Sequence, residues 1–381
     1  MSSNDVFDEK AMSDMPSEFL ERIQISERPK DAELQAPAVG YFRDALVRFV
    51  SNKASVVAFF IICFIIFMAI LGPGMNSFGF NEQNVSLRNM PPKIPLLTKF
   101  GIAQGYRVLE GRQVSFLTDT DRYPEGSIIT VFNRRAVNGV EIADVKVDYY
   151  KLMGAEKPYW FGTDYLGRDY WTRLWRGVRV SLVIAFVSVV TNLIIGIIYG
   201  AIAGYYGGAV DMVMMRICEI IQAFPRVAGV TLFILYFGTG LFSIIMSLVI
   251  SGWIGTARLV RAQFYRFKTR EFVLAARTMG VRDSVIMFRH ILPNSLGPII
   301  TRTMMAVPSA IFTESFLAYI GLGLQAPEPT LGVLLSDAQK VLLNYPYQSL
   351  FPGLVISALM VSFNLFANGL RDAFDPTLRG T

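Results

Sequence analysis

Long stretches without a charged side chain limit what this chain can fold into more than any other feature. Those with no Asp, Glu, Lys or Arg are 54–73, 180–210, 227–257 and 341–370. About 20 apolar residues are enough to cross the hydrocarbon core of a bilayer. Only 17% of the residues are charged, against roughly 25% in ordinary soluble domains. The chain is therefore predicted to be an integral membrane protein with several spans.

Six membrane-spanning helices are predicted from these stretches and from 291–327, which is interrupted only by Arg302 and Glu314. The third contains Pro225, which removes a helical hydrogen bond, so a kink or break is expected there. The predicted spans are 54–74, 179–205, 209–236, 241–261, 295–321 and 349–370. The fold class expected is an all-α integral membrane fold.

The distribution of basic residues predicts the orientation of these spans. Arg43, Arg48 and Lys53 precede the first span, and the segment 262–294 is rich in arginine. Cytoplasmic loops carry an excess of lysine and arginine. We therefore expect the N-terminus, the C-terminus and the segment 262–294 to be cytoplasmic.

The chain divides into four regions on this basis. Residues 1–40 are acidic and poor in aromatic residues, which is typical of a tail without fixed structure. A first span at 41–75 precedes an extracellular insert and rim segment at 76–175, and a helical core occupies 176–381.

The insert is predicted to contain a small β-sheet. Residues 127–132 and 140–147 alternate apolar and polar side chains, and Asn138-Gly139 between them is a signal for a type I′ turn. An irregular loop is the alternative.

Several kinds of chemistry have no support in the sequence. It contains no G-x-x-x-x-G-K-[ST] motif, so ATP binding by a P-loop is not expected. His290 is the only histidine and there are two cysteines, which excludes a metal site built from those ligands. No nucleophile–base arrangement is apparent. We therefore expect neither enzymatic activity nor a cofactor in this chain.

Four ionisable residues within the predicted spans are candidate pore or intramembrane polar sites: Arg216, Glu219, Arg302 and Glu314. Such residues are costly in a bilayer and pair with one another or line a water-filled path. Structural pairing or pore lining is one interpretation. The other is a proton relay through Glu219 and Glu314 in a stand-alone proton-coupled secondary transporter.

The cytoplasmic segment contains the stretch 270–280, REFVLAARTMG, followed by HILP at 290–293. Residues 269–279 are predicted to form a short amphipathic helix, with Thr269 as N-cap, Glu271 in the first turn and Gly280 at its end. Ala275, Ala276 and Gly280 leave a shallow surface that suits a helix-in-groove contact with another protein. A helix resting on lipid headgroups is the alternative.

This segment resembles the EAA loop of ABC importer permeases in its two alanines, its Gly280, the ten-residue step to His290 and Pro293. One departure is Leu274, where many members carry glutamate. Further blocks resemble the C-type permeases of dipeptide, oligopeptide and nickel importers: FGTDYLGRD at 161–169, DMVMMR at 211–216, ES at 314–315 with LG at 322–323, and residues 364–376. The resemblance runs from about residue 41 to 381 but leaves 76–157 largely unmatched.

The resemblance implies a type I ABC importer permease fold and import of peptides across a bacterial plasma membrane. It also implies partners: a homologous B-type permease, two ABC ATPase subunits that bind ATP and Mg, an extracellular peptide-binding lipoprotein and membrane lipid, with no nucleic acid. The residues it assigns to an ATPase-coupling helix and its flank are Glu271, Ala275, Ala276, Arg277, Gly280, His290 and Pro293.

Overall fold

The computed structural model of the protein describes residues 41–325 and 327–374. The tail predicted at 1–40 lies outside these residues, as does the end of the block at 364–376. The chain divides into two compact units after Leu46. The first contributes only the opening turns of helix α1 to the described residues, and the second carries all other elements.

The described residues form fourteen α-helical segments and three strands. The helices are α1 (Tyr41–Ser51), α2 (Lys53–Leu71), α3 (Pro95–Thr98), α4 (Tyr149–Leu152), α5 (Tyr170–Tyr206), α6 (Gly208–Ala223), α7 (Arg226–Phe237), α8 (Leu241–Phe267), α9 (Glu271–Thr278), α10 (Asp283–Val285), α11 (Leu292–Asn294), α12 (Leu296–Tyr319), α13 (Leu331–Gln339) and α14 (Tyr347–Phe374). The strands are β1 (Tyr106–Gln113), β2 (Ile128–Val137) and β3 (Val140–Asp148). A π-helical segment, Ile286–Ile291, joins α10 to α11.

Four helices among the described residues are long and apolar enough to cross a membrane: α2 with its short extension to Gly74, α5, α8 and α14. The pair α6–α7 is a fifth if the two are one span. The remaining predicted span is α12, whose 24 residues would extend about 36 Å at 1.5 Å per residue. Arg302 and Glu314 lower its apolarity. Each predicted span thus corresponds to a helix or a broken helix pair.

The third predicted span is broken as expected. Helices α6 and α7 are bent by 79° relative to each other at Pro225, which cannot donate a backbone hydrogen bond to the preceding turn. The first turn of α6 is held to α8 by side-chain contacts. Asp211 forms a two-pronged ion pair with Arg261, and the Tyr265 hydroxyl donates to the same carboxylate at 2.9 Å.

Helices α5 and α8 pack closely along a row of glycines, as their spacing in the sequence predicts. A Cβ at Gly196 would lie 2.7 Å from the Thr256 side chain, and one at Gly204 would lie 2.6 Å from Phe264. Gly200, between them, faces the backbone of Ala257. The absence of side chains at these positions therefore sets the distance between the two helices.

The insert contains the predicted hairpin and one strand more. Strands β2 and β3 are antiparallel and close at Val137 and Val140, with both Asn138 and Gly139 at positive φ, as a type I′ turn requires. The sheet order is β1-β3-β2, so β3 is central. The sequence analysis did not identify β1.

One carboxylate of the sheet is held by donors from both neighbouring strands. Asp144 on β3 accepts the Gly111 N–H at 2.8 Å and the Asn133 side-chain amide at 3.1 Å, and Arg135 lies 3.7 Å away. These donors hold the pKa of Asp144 below its usual range.

The insert is fastened to the helical bundle by buried hydrogen bonds. The Met90 N–H donates to the Thr163 hydroxyl at 2.8 Å, and the Tyr347 hydroxyl of α14 donates to the Met90 carbonyl at 2.8 Å. Asp169 caps α5 by accepting the Thr172 N–H at 2.8 Å, and burial raises the pKa of this carboxyl. These bonds join the insert to α5 and α14.

Candidate functional site

The cytoplasmic helix expected at 269–279 is α9, Glu271–Thr278. The expected N-cap was wrong: Arg270 is the N-cap residue and no side chain caps the helix. Helix α8 runs on to Phe267, and the Arg270 N–H closes a turn onto the Phe267 carbonyl at 3.0 Å, so Thr269 lies within that turn. Gly280 ends the helix at φ +75°, with its N–H bonded to Arg277, as predicted.

The two alanines of α9 face in different directions. Ala276 is buried with Val273 against Phe264 of α8 and Ile286 of the π-helical segment. Ala275 is exposed. The surface of α9 that a partner can reach therefore includes Ala275 but not Ala276.

That reachable surface carries three exposed apolar side chains. Phe272, Leu274 and Met279 are 41%, 48% and 76% exposed. Glu271 and Arg277 are exposed too. At about 100° per residue, Phe272 and Leu274 lie on opposite sides of the exposed face of α9, with Glu271 between them. Exposed apolar side chains that alternate with charges are compatible with a surface that another protein covers.

His290 and Pro293 lie in the segment that follows α9. His290 is half-buried at the end of the π-helical segment, and its carbonyl accepts the Asn294 side-chain amide at 2.7 Å. Pro293 is exposed and lines a shallow depression of about 440 Å³ with Phe288 and Arg289.

The four intramembrane candidates lie in three separate surroundings. Arg216 and Glu219 form an exposed ion pair at 2.5 Å, one turn apart on α6. Glu314 on α12 is 1% exposed and accepts the Ser181 hydroxyl of α5 at 3.0 Å, and its other oxygen has no hydrogen-bond partner among the described residues. The structure does not pair Glu314 with Arg302 in the described part of the chain.

Arg302 lines a cavity of about 870 Å³ among α5, α8 and α12, with contributions from α7 and α14. Its guanidinium lies against Gly255 of α8, where a Cβ would collide with it. Asn192 of α5 lies in the same way against Gly252. Ligand sites typically have volumes of roughly 300–1,000 Å³. This volume therefore suits a small ligand.

The sequence analysis missed most of the residues that line this cavity. They include three more arginines, Arg226 on α7, Arg266 on α8 and Arg371 on α14. These side chains come from helices far apart in the sequence and share no spacing. Among the described residues, no group of three or more His, Cys, Asp or Glu side chains could hold a metal ion.

Comparison with known proteins finds two family models that match the chain. Residues 196–380 match the binding-protein-dependent transport system inner membrane component, and residues 40–92 match the N-terminal TM domain of oligopeptide transport permease C.

Curated relatives match over nearly their whole length. The oligopeptide transport system permease protein OppC of Bacillus subtilis is 35% identical over 350 residues, which cover 92% of this chain and 94% of that protein. The dipeptide transport system permease protein DppC of the same organism is 33% identical over 366 residues, covering 96% and 94%. DppC of Lactococcus lactis is 36% identical over 351 residues, covering 90% and 93%.

Among solved structures, an inward-facing conformation of the MetNI methionine ABC transporter matches 53% of this chain and 96% of its own chain. The TM-score is 0.45 and the identity is 18%, values too low to support a conclusion.

Proposed function

Because this chain belongs to the family of binding-protein-dependent transport system inner membrane components, we propose that it is the transmembrane permease subunit of an ATP-binding-cassette importer for peptides. The observation that carries this proposal is the match to named peptide permeases over nine-tenths or more of both chains. In this role the chain forms half of the translocation pore and performs no bond chemistry.

The partners we propose follow from that role. A homologous B-type permease completes the pore, two ABC ATPase subunits bind ATP and Mg on the cytoplasmic side, and a peptide-binding lipoprotein delivers substrate from outside. The chain lies in the bacterial plasma membrane with both termini in the cytoplasm, an orientation supported by the arginines that follow α8.

Helix α9 is proposed as the contact that couples ATP hydrolysis to this chain. It presents Phe272, Leu274 and Met279 to its surroundings, while Val273 and Ala276 fix it to α8 and the π-helical segment. A force applied to the exposed face of α9 is thereby transmitted to α8, which lines the cavity. Closure of the ATPase pair would in this way alter the path of the substrate.

The external sheet is proposed to cap the pore or to contact the binding protein. The insert that carries it is fastened to α5 and α14 at the end opposite α9. A loaded binding protein that lands on this sheet would act on α5 and α14 from outside, whereas α9 contacts α8 from the cytoplasm.

Purification of the tagged chain from its native membrane in mild detergent, with mass spectrometry of what accompanies it, tests the assembly. We expect a second permease and P-loop ATPases. Reconstitution of that complex in vesicles with enclosed ATP then tests peptide uptake. A chain that is purified alone and transports without ATP would overturn the proposal.

The secondary-transporter alternative makes a different prediction, because a proton-coupled carrier would lose uptake when an ionophore collapses the proton gradient. The structure offers little to such a carrier: Glu219 is exposed and paired with Arg216, and Glu314 bonds to a serine within the bundle.

A further inference from the structure

The cavity among α5, α8 and α12 has a strongly one-sided charge. Four arginines line it, and none of its lining residues in the described chain is acidic. Arg266 and Arg371 lie near the ends of α8 and α14, at the end of the bundle that bears α9. Arg302 lies farther in, six residues after the start of α12. A low-dielectric cleft lined by one sign of charge concentrates ligands of the opposite sign.

Arg302 is the member of this set best placed to bind a ligand. It is exposed, and no ion-pair partner for it is found in the described residues. Because Gly255 lacks a side chain, the guanidinium can lie flat against α8 without displacing that helix. Arginine binds a carboxylate through two parallel hydrogen bonds.

Neutral polar groups with unused hydrogen-bonding capacity lie in the same cavity. Ser188 is fully buried and its hydroxyl has no partner in the described part of the molecule. The side-chain oxygen of Asn192 is likewise buried and without a partner. Buried polar groups are nearly always hydrogen-bonded. These unpaired polar groups lie in the wall of the cavity, beneath its accessible surface.

We propose that this cavity is a binding site for the carboxylate end of the transported peptide, with Arg302 holding the carboxylate. The inference rests on the proposed function and adds the chemical group that the permease recognises. Arg266 and Arg371 extend the positive surface toward the α9 end of the bundle and favour departure of the anion in that direction. A peptide whose C-terminus is blocked has no carboxylate for Arg302 to bind, so its uptake should not depend on Arg302.

The test measures uptake by the assembled importer in vesicles, with ATP enclosed and the binding protein outside. Neutral peptides of two to eight residues are supplied as free acids and as C-terminal amides, and both are counted inside by mass spectrometry. Arg302→Gln should lower uptake of the acids roughly tenfold, the size of effect expected from losing a hydrogen bond to a charged group, while amide uptake is unchanged. Arg302→Lys should restore part of the preference for acids.

Arg258→Gln is the matched control, because Arg258 is an exposed arginine of α8 that does not line the cavity. Arg258→Gln should leave the acid-to-amide ratio as in the unmodified importer, because it removes an arginine outside the cavity. The binding protein is the same in every assay, so any preference of its own cancels in this comparison. An equal fall of acid and amide uptake in Arg302→Gln, or no change in the ratio, would overturn the inference. Total absence of ATP-driven peptide uptake by the unmodified importer would instead reject the proposed function, and the inference with it.

A lipid phosphate is the other source of an anion for this cavity. The same assay in phosphatidylcholine vesicles with and without phosphatidylglycerol separates the two. If the acid-to-amide ratio depends on Arg302 in both, the peptide carboxylate is the ligand. If Arg302→Gln changes only the response to phosphatidylglycerol, the inference is wrong.

Discussion

At the scale of single residues, substitutions of Glu314 distinguish a structural role for this side chain from a role in proton transport. Its carboxyl group accepts the Ser181 hydroxyl, and that hydroxyl in turn accepts the Leu331 N–H of α13 at 3.1 Å. The buried Ser181 side chain of α5 therefore bonds both to α12, through Glu314, and to α13, through Leu331. A glutamine can make the same bond but cannot release a proton.

We expect Glu314→Gln to retain both stability and ATP-driven uptake. Glu314→Ala should lower the free energy of unfolding by about 1–3 kcal/mol, because the Ser181 hydroxyl loses its buried acceptor. Thermal unfolding of the purified protein and vesicle uptake measure the two effects. Loss of uptake by a well-assembled Glu314→Gln importer would support the proton-relay alternative.

Asp144 makes the external sheet sensitive to acid. Its pKa is lowered chiefly by the Gly111 N–H and then by the Asn133 amide, so ionised Asp144 stabilises the sheet. That contribution is fully present above the ordinary value of 3.8 and is lost as the pH falls below it, through the lowered pKa of the folded state. Hydrogen exchange of β1–β3 in the intact protein should show protection falling between about pH 4 and lower pH.

Asp144→Asn should weaken protection at pH 6 and remove this acid response. Asp121→Asn is the control, because Asp121 is an exposed aspartate of the same insert whose side chain contacts none of the strands in the described structure. A response that persists in Asp144→Asn would mean that another carboxyl group controls the sheet.

At the scale of elements, the contact between α5 and α8 depends on Gly200. A methyl group there would collide with the Ala257 carbonyl and lie 2.8 Å from Val260. Gly200→Ala is therefore expected to destabilise the protein by about 1–3 kcal/mol, the usual cost of overpacking. Gly353→Ala on α14 is the control, because nothing lies within 4 Å of the added carbon. Equal thermal stability of the two variants would contradict the packing argument.

Helix α9 gives the second test at this scale. Met279→Glu should leave the permease pair assembled, because Met279 is 76% exposed, and should weaken ATPase binding about tenfold or more, as loss of an interface anchor does. Co-purification of the ATPases measures this. Ala276→Arg is unsuitable, since Ala276 is buried in this chain.

The control for α9 is Leu343→Glu, which introduces the same charge at a leucine 97% exposed before the start of α14. That position is at the other end of the bundle, away from α9. If Met279→Glu retains its ATPases as fully as Leu343→Glu does, α9 is not the coupling contact.

Elements that follow a simple period were predictable and those that depend on a local irregularity were not. The hairpin at Asn138-Gly139 was predictable because both residue types tolerate positive φ, and the break at Pro225 because proline has no N–H to donate. Strand β1 was not predicted, because a bulge between Leu109 and Arg112, with Gly111 at φ +61°, interrupts the alternation of apolar and polar side chains. The bulge is also what presents the Gly111 N–H to Asp144.

At the scale of the whole molecule, the polar cavity could not be predicted from the sequence. Its arginines lie on α7, α8, α12 and α14, and only folding brings these helices together. Gly252 and Gly255 are the local indication of the cavity in the sequence of α8. Because they have no side chains, they leave room for Asn192 and Arg302 of the neighbouring helices. That indication has no meaning until the opposing helices are known.

The external sheet can be removed as a unit, which tests whether signals enter the bundle from outside. The Tyr149 N–H donates to the Gly105 carbonyl at 3.1 Å, so the two ends of the sheet segment are adjacent. Replacing 106–148 by a short glycine linker keeps Met90, Tyr150 and Thr163, which fasten the rest of the insert. The variant should therefore assemble with its partners.

We expect this variant to hydrolyse ATP at the basal rate but to lose stimulation by the loaded binding protein and to lose peptide uptake. The matched control replaces only the hairpin turn, Asn138-Gly139, with Gly-Gly, which keeps both positive φ angles. ATPase activity with and without binding protein distinguishes the outcomes. Normal stimulation and normal peptide uptake after removal of the sheet would mean that the sheet neither receives the binding protein nor caps the pore.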